Sequence, residues 1–521
     1  MSTGSSRRLS PWRVSLALVI LISFGYATSL NFDRFRVKEV IDPPKLPDPW
    51  FAAYVDVTST PPYPFEQLGA TSTQDVVLSF IVASPKDACV PTWGGYYTLE
   101  EASVALDLDR RIARLDQQGG KVAVSFGGLL NAELSLACKD EEGLFKAYQS
   151  VIDRYGLDTI DLDIESESIK DRESLDRRGR IMKRLQDHFR NTGKNLAVWL
   201  TLPVAPQGLT QEGADVVSIM LTSGVDLAGV NVMTMDYGAS RAAGQSMFEV
   251  SKSALVETHR QLGILYNQAG IYLGNDSLWR KIGATPMIGQ NDVIDEVFTL
   301  EEATAFNAFA QEKKIGRMSM WSANRDAPCG DNYVDTRVVS NSCSGTKDSK
   351  MAYGQELSTG FEGDMTQNAG ILTNSDPKPI VTLDDPENSP YQVWKETGAY
   401  PKGVKVVWHG NVYEAKWWTK NELPDNPVLQ SWETPWQLVG PVLPGEKPVR
   451  QPTLPEKTYP RWSGKVVYEA GDRVLFDGIP FQAKWWNEGE SPAASSANPD
   501  SSPWTPLTHA QIVEILNDLG Q

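Results

Sequence analysis

Between about Trp50 and Asp364, eight short β-rich runs alternate with helical stretches, and few folds accommodate that alternation. The sequence predicts strands over Ala52–Val57, Val76–Val82, Lys121–Ser125, Thr159–Glu165, Leu196–Leu202, Gly229–Met235, Ala284–Ile288 and Arg317–Trp321. Several are continuous apolar runs, as strands covered on both faces require. Amphipathic periodicity predicts helices between them, at Leu99–Gln117, Glu142–Tyr155, Glu173–Asn191, Met247–Leu265 and Leu300–Lys313. Eight strands with intervening helices point to an α/β (β/α)8 TIM barrel, whose functional residues gather at the carboxyl ends of the strands.

The chain of 521 residues exceeds one domain of ordinary size. Beyond Met365 the composition changes. Asp376-Pro-Lys-Pro379 and Asp384-Asp-Pro386 mark a linker, and ten of the sixteen tryptophans follow Tyr391. An internal repeat is responsible. A shift of 68 residues aligns Trp394 with Trp462, Tyr400 with Tyr468 and Gly410 with Gly478, without a gap. It also aligns Ala415-Lys-Trp-Trp418 with Ala483-Lys-Trp-Trp486 and Pro435-Trp436 with Pro503-Trp504. The expected organisation is a catalytic barrel over 48–365, a linker over 366–390, a β module over 391–440, a Pro-rich linker over 441–458, a second module over 459–508 and a tail over 509–521.

Residues 1–30 are expected to be a signal peptide or signal anchor. Arg7, Arg8 and Arg13 precede an uncharged stretch from Val14 to Phe32, and Ala27 and Ser29 offer small residues for cleavage. A secreted, extracellular or periplasmic location follows, with membrane attachment only if that segment is retained. In an oxidising compartment Cys89, Cys138, Cys329 and Cys343 would form disulfides. Of the three pairings, Cys89–Cys138 and Cys329–Cys343 join neighbouring loops of the expected barrel.

Composition excludes other classes. The net charge of −17, without a long basic run, argues against a nucleic-acid partner. The four histidines, His188, His259, His409 and His509, lack metal-ligand spacing, so no metal and no cofactor are expected. A monomer is expected.

The chemistry concentrates in the fourth strand. Residues two apart on a strand share a side, so Asp161, Asp163 and Glu165 project together while Leu162 and Ile164 face away. Three unpaired buried charges would be prohibitively unfavourable. Crowded carboxyls instead raise one another's pKa, which is what a general acid near neutral pH needs. A solvated acidic strand is the alternative, and the apolar residues between the carboxyls fit it poorly.

The segment Asp158-x-x-Asp161-x-Asp163-x-Glu165 resembles the signature of glycoside hydrolase family 18, the chitinases and their relatives. Ser125-Phe-Gly-Gly128 resembles the family's Ser-x-Gly-Gly motif, and Met233-Thr-Met-Asp236-Tyr237 its Met-x-x-Asp segment. Trp321 stands where the family places a tryptophan beneath the scissile sugar. The resemblance implies retaining, substrate-assisted hydrolysis, outside the two-carboxylate scheme. Glu165 would be the general acid and base. Asp163 would orient the substrate acetamide, with Asp161 holding Asp163 or sharing its proton. Asp236 and Tyr237 would complete the acetamide cradle; Met233, Ser125 and Trp321 would line the site. Met235 departs from the family's usual tyrosine, and Tyr237 is expected to take that role through strand alternation.

The repeats resemble carbohydrate-binding module families 5 and 12, which bind chitin. Trp417, Trp418, Trp485 and Trp486 are expected to bind sugar, because neighbouring strand residues face opposite ways and modules this small cannot bury every tryptophan. Trp436 and Trp504 are expected in the small cores. The expected partners are chitin and chito-oligosaccharides. A catalytically silent chitin-binding lectin would share the barrel, but the resemblance implies that it would lack Glu165. An endo-β-N-acetylglucosaminidase acting on glycoproteins or peptidoglycan would share the catalytic residues.

Overall fold

The computed structural model describes residues 46–67, 74–271, 273–330, 338–366, 384–443, 445–446, 454–476, 478–492, 502–507 and 509–519. The N-terminal segment, most of the first linker and part of the second lie outside these residues. No helix among the described residues is long and apolar enough to cross a membrane.

Eight parallel strands form a ring. They are β1 (Trp50–Phe51, continuing as Ala53–Asp56), β2 (Val76–Ala83), β3 (Val122–Gly127), β4 (Thr159–Asp163), β5 (Ala197–Ala205), β6 (Leu227–Thr234), β7 (Ile282–Pro286) and β8 (Arg317–Met318). Each pairs with the next, and β1 pairs with β8 on one side and β2 on the other. The backbone of β1 keeps both ladders alive, with Ala52 N–H donating to Met318 and Tyr54 N–H to Met320. The eight expected strands are present, shifted by a few residues at their ends.

Alternation along β1 separates two apolar layers. Phe51, Ala53 and Val55 face outward into the layer shared with the helices. Trp50, Ala52 and Tyr54 face inward, where Trp50 meets Trp199 edge to face at 5.7 Å. Each fully buried large apolar side chain stabilises the fold by roughly 1.5–3 kcal/mol, so the outer layer dominates the apolar contribution.

Helix starts are written in the sequence. Thr98 with Glu101, Ser246 with Glu249 and Thr299 with Glu302 form reciprocal capping boxes on the helices Leu99–Ala105, Met247–Gln268 and Leu300–Lys313. One expected helix is two. Leu99–Ala105 and Leu108–Gln117 are separated at Asp107, whose φ of 53° is left-handed. Aspartate tolerates that conformation better than most residues, so an amphipathic period running through it does not reveal the break.

Both expected disulfides are present, Cys89–Cys138 and Cys329–Cys343. The first ties the loop after β2 to the loop after β3. That second loop is also held from below. Glu133, 4% exposed, caps the helix Leu134–Ala137 and receives Arg178 at 2.6 Å and Tyr148 at 2.7 Å. Burial opposes its ionisation, but the Arg178 charge and the hydrogen bonds hold its carboxyl below the usual Glu range.

The two C-terminal modules share one topology. Strands Ala399–Tyr400, Lys405–Trp408, Asn411–Ala415 and Thr419–Lys420 recur 68 residues on as Val467–Tyr468, Arg473–Phe476, Ile479–Ala483 and Asn487–Glu488. Trp436 and Trp504 fill the respective cores, against Tyr400 at 5.3 Å and Tyr468 at 5.0 Å. Their indole N–H groups donate to Glu422 and Glu490 carbonyls at 2.8 and 2.7 Å.

The buried Glu133–Arg178 pair and the exposed Glu141–Arg180 pair have the same 2.6 Å separation but differ in burial and in the cap and Tyr148 bond that Glu133 also supplies. Glu133→Ala should cost about 3–5 kcal/mol by leaving Arg178 uncompensated, and Glu141→Ala less than about 1 kcal/mol. Chemical unfolding of the full chain checks this; equal losses contradict it.

Candidate active site

Inside the ring, Asp161 of β4 is fully buried and its carboxylate receives four donors. Oδ2 accepts from Ser125 of β3 at 2.7 Å and from Tyr54 of β1 at 2.8 Å. Oδ1 accepts from Thr201 of β5 at 2.7 Å and from Arg317 of β8 at 2.6 Å. A carboxylate offers about four acceptor sites, and all are taken. With both oxygens engaged by these four partners, Asp161 lies beneath Asp163. It is the base of the site. Asn231 of β6 extends the network to Thr201 and to Thr285 of β7, at 2.9 and 2.8 Å.

Asp163 lies one pleat higher. It is 4% exposed, and its Oδ1 has no hydrogen-bond partner. Burial raises its pKa well above the usual Asp range, Glu165 and Asp161 add to that, and Arg317 offsets only part. Glu165 follows beyond the last ladder residue of β4 and is half-buried. Burial, then the charge of Asp236, pushes its carboxyl up to about 7. The column thus runs from a compensated charge at the base to a weak acid at the open end. Two interacting carboxyls two residues apart titrate as a pair.

The Ser125-Phe-Gly-Gly128 segment has a separate reason at each position. Ser125 donates to Asp161, and Phe126 turns outward onto Tyr148 at 4.9 Å. A side chain at Gly127 (φ 113°) would place its Cβ 1.9 Å from the Asp163 carbonyl oxygen. At Gly128 it would meet the Phe80 ring at 3.0 Å. Only glycine lets β3 pass this close to β4 and to that ring. Phe80 in turn stacks on Trp321 with centroids 5.6 Å apart, and Tyr54 meets Trp321 at 6.1 Å. Trp321 is half-buried, with its ring on this aromatic floor.

The end of β6 departs from expectation. Met233 and Met235 are half-buried, and Met233 shares the inward side with Asn231. Asp236 is half-buried and takes φ 52°, which ends the alternation. Tyr237 consequently turns into the helix layer, 5% exposed, with its hydroxyl donating to Ser251 at 3.2 Å. It does not replace the missing tyrosine. Glu296, fully buried, holds this turn by accepting the Tyr237 and Gly238 N–H groups at 2.9 and 2.8 Å. Asn291 accepts the Asp236 N–H, and Asp236 accepts that of Val293. Burial and Asp292 raise the Asp236 pKa. Glu296 and Asn291 carry no motif of their own and escape sequence reasoning.

Residues 53–269 match the family model described as Glycosyl hydrolases family 18, and residues 461–505 match carbohydrate-binding module family 5/12. The chain carries a family 18 glycosyl hydrolase domain. It is 36% identical over 310 residues to the "Probable bifunctional chitinase/lysozyme" of Escherichia coli K12, covering 58% of this chain and 34% of that one. It is 35% identical over 306 residues to "Endochitinase 11" of Metarhizium anisopliae, covering 57% and 56%. The chain therefore matches about a third and about half of these curated relatives' lengths. The catalytic domain of a hyperthermophilic chitinase from Pyrococcus furiosus superposes with a TM-score of 0.52 at 29% identity, covering 63% of this chain and 98% of that domain.

Outside the family 18 domain, the paired tryptophans differ in surroundings. Trp485 and Trp486 are 42% and 57% exposed. Trp417 is half-buried, although it and Trp485 carry the same lysine contact, Lys416 over Trp417 at 4.8 Å and Lys484 over Trp485 at 4.7 Å. Trp418 is half-buried: it packs on the second module's core, and its indole nitrogen is buried. The groups of His, Cys, Asp and Glu among the described residues include none that could hold a metal ion.

Titration of the site carboxyls, followed by isotope-edited infrared or carbon NMR, should place the Glu165 midpoint near 7. The protonated form is therefore present below that pH and lost above it. Asp236→Asn removes a charge that raises this pKa, so the midpoint should fall. An unchanged or raised midpoint contradicts the arrangement.

Proposed function

We propose that the protein is a chitinase that hydrolyses β-1,4 linkages between N-acetylglucosamine units with retention of anomeric configuration. The carrying observation is the place of Glu165, half-buried at the open end of a buried acidic column within a family 18 domain, where burial and Asp236 push its carboxyl up to about 7. An acid with that pKa still holds its proton near neutrality and can release it in the reaction. The chitinase relatives support the same substrate class.

In this reading Glu165 gives its proton to the glycosidic oxygen as the bond to the anomeric carbon breaks. The substrate's acetamide oxygen forms the new bond to that carbon, giving a positively charged oxazolinium. Asp163, whose Oδ1 lacks a donor within the protein, accepts the acetamide N–H and stabilises the developing charge. Asp161 holds β4 in place from below, so it acts through Asp163. Trp321, backed by Phe80, is the apolar floor for the sugar face. Water then adds to the anomeric carbon as the bond to the acetamide oxygen breaks, and Glu165 takes a proton from that water. Asp236 adds to the burial that raises the Glu165 pKa and borders the acetamide; Met233 lines the same end, and Ser125 contributes only through Asp161.

Export of the chain by its N-terminal segment is part of this reading, and two disulfides accord with it. Chitin particles are the natural object for the C-terminal modules.

Glu165→Gln should lower kcat on soluble chito-oligosaccharides by about 10²–10⁴-fold. Turnover within about tenfold of wild type would remove Glu165 as the acid. Kinetics with wild type should also show kcat/KM falling as pH rises through about 7, where Glu165 loses its proton. A profile still rising at that pH contradicts the assignment.

A further inference from the structure

The two modules repeat in sequence and topology but not in what surrounds them. The first is held on both sides. On one side, Arg260 of the helix Met247–Gln268 donates to the carbonyls of Val428 and Leu429 at 2.5 and 2.8 Å. Gln261 donates to Leu429 at 3.0 Å, and Gln430, 3% exposed, reaches back to the Leu209 carbonyl at 3.1 Å. The Leu429 side chain packs on the apolar layer around the barrel. Three backbone carbonyls thus meet buried or half-buried donors, which makes a specific seat.

On its other side, the first module faces the second. Trp418 lies against Phe476 with centroids 6.2 Å apart, among the side chains that pack on Tyr468, Val474, Phe481 and Trp504. Trp418 is the 68-residue counterpart of Trp486, which is 57% exposed. Phe476 itself occupies the repeat position of Trp408. One aromatic position of the repeat is therefore partly covered by the neighbouring module in the first copy and exposed in the second.

The sequence difference follows the same line. Leu429 and Gln430 correspond to Ala497 and Asn498, which lack the apolar bulk and the longer amide of the seat. The family 5/12 match, residues 461–505, lies in the second copy.

We propose that the first copy is an adaptor, a docking module that joins barrel to second module, and that crystalline polysaccharide is engaged by the second copy through Trp485 and Trp486. The partner of the Trp418 surface is the second module of the same chain. This assignment rests on the reading of the modules as chitin-binding. It implies that the repeat supplies one sugar-stacking surface, held against the barrel at a fixed position, instead of two surfaces on independent tethers. The gain in local substrate concentration then comes from position more than from valency.

Hydroxyl-radical footprinting of the unmodified full chain, read by mass spectrometry, tests it. Trp486 should oxidise several-fold faster than Trp418. Added chitohexaose should protect Trp485 and Trp486 and leave Trp418 unchanged. Equal oxidation rates, or sugar protection at Trp418, overturn the adaptor role and leave chitin binding intact. Protection of no tryptophan overturns the chitin-binding reading and this inference with it. As a second readout, Trp486→Ala should weaken adsorption to chitin particles about tenfold, while Trp418→Ala leaves it within about twofold and speeds proteolysis between the modules. Equal losses of adsorption, with both variants folded, contradict the proposal.

Discussion

The carboxylate of Asp161 is the point on which the rest of the site depends. It accepts hydrogen bonds from Tyr54, Ser125, Thr201 and Arg317, which belong to β1, β3, β5 and β8. A buried charge is tolerable only when paired and fully hydrogen-bonded, and here both oxygens are saturated. The same bonds tie four strands to β4 from within the ring. Arg317 in turn lies over Trp50, Tyr54 and Trp199 at 5.2–5.5 Å, so the aromatic plug of the barrel and its anion share one cation. Loss of Asp161 would strand that guanidinium in an apolar interior.

Everything above inherits this asymmetry. Because Asp161 takes the compensation that Arg317 offers, Asp163 sits in the same low-dielectric interior with little of it, and its pKa rises. Glu165, nearer solvent, is displaced less and comes to rest at about 7. Asp163 and Glu165, two carboxyls of similar intrinsic acidity, thus acquire different acidities from their depth and neighbours. Glycine at 127 lets β3 close onto the top of β4 without pushing this column aside.

Much of this is written locally. Strand alternation puts Asp161, Asp163 and Glu165 on one side, and the S/T-x-x-E boxes mark the helix starts. The 68-residue repeat yields two modules of identical strand pattern. What local reasoning misses depends on a single dihedral or a distant partner. Alternation carried past Thr234 puts Tyr237 in the site, but the left-handed Asp236 turns it to Ser251. The donors to Asp161 lie 107 residues away at Tyr54 and 156 at Arg317, with no motif to link them. Trp418 and Trp486 share a local sequence, and only the packing of one module on the other separates their fates.

The central claim is that the acidic column supplies a proton and an acetamide acceptor, while the nucleophile comes from the substrate. Proton NMR of chito-oligosaccharide cleavage, recorded before mutarotation equilibrates the products, tests this most directly. The newly formed reducing end should appear first as the β-anomer. Initial release of the α-anomer would contradict it.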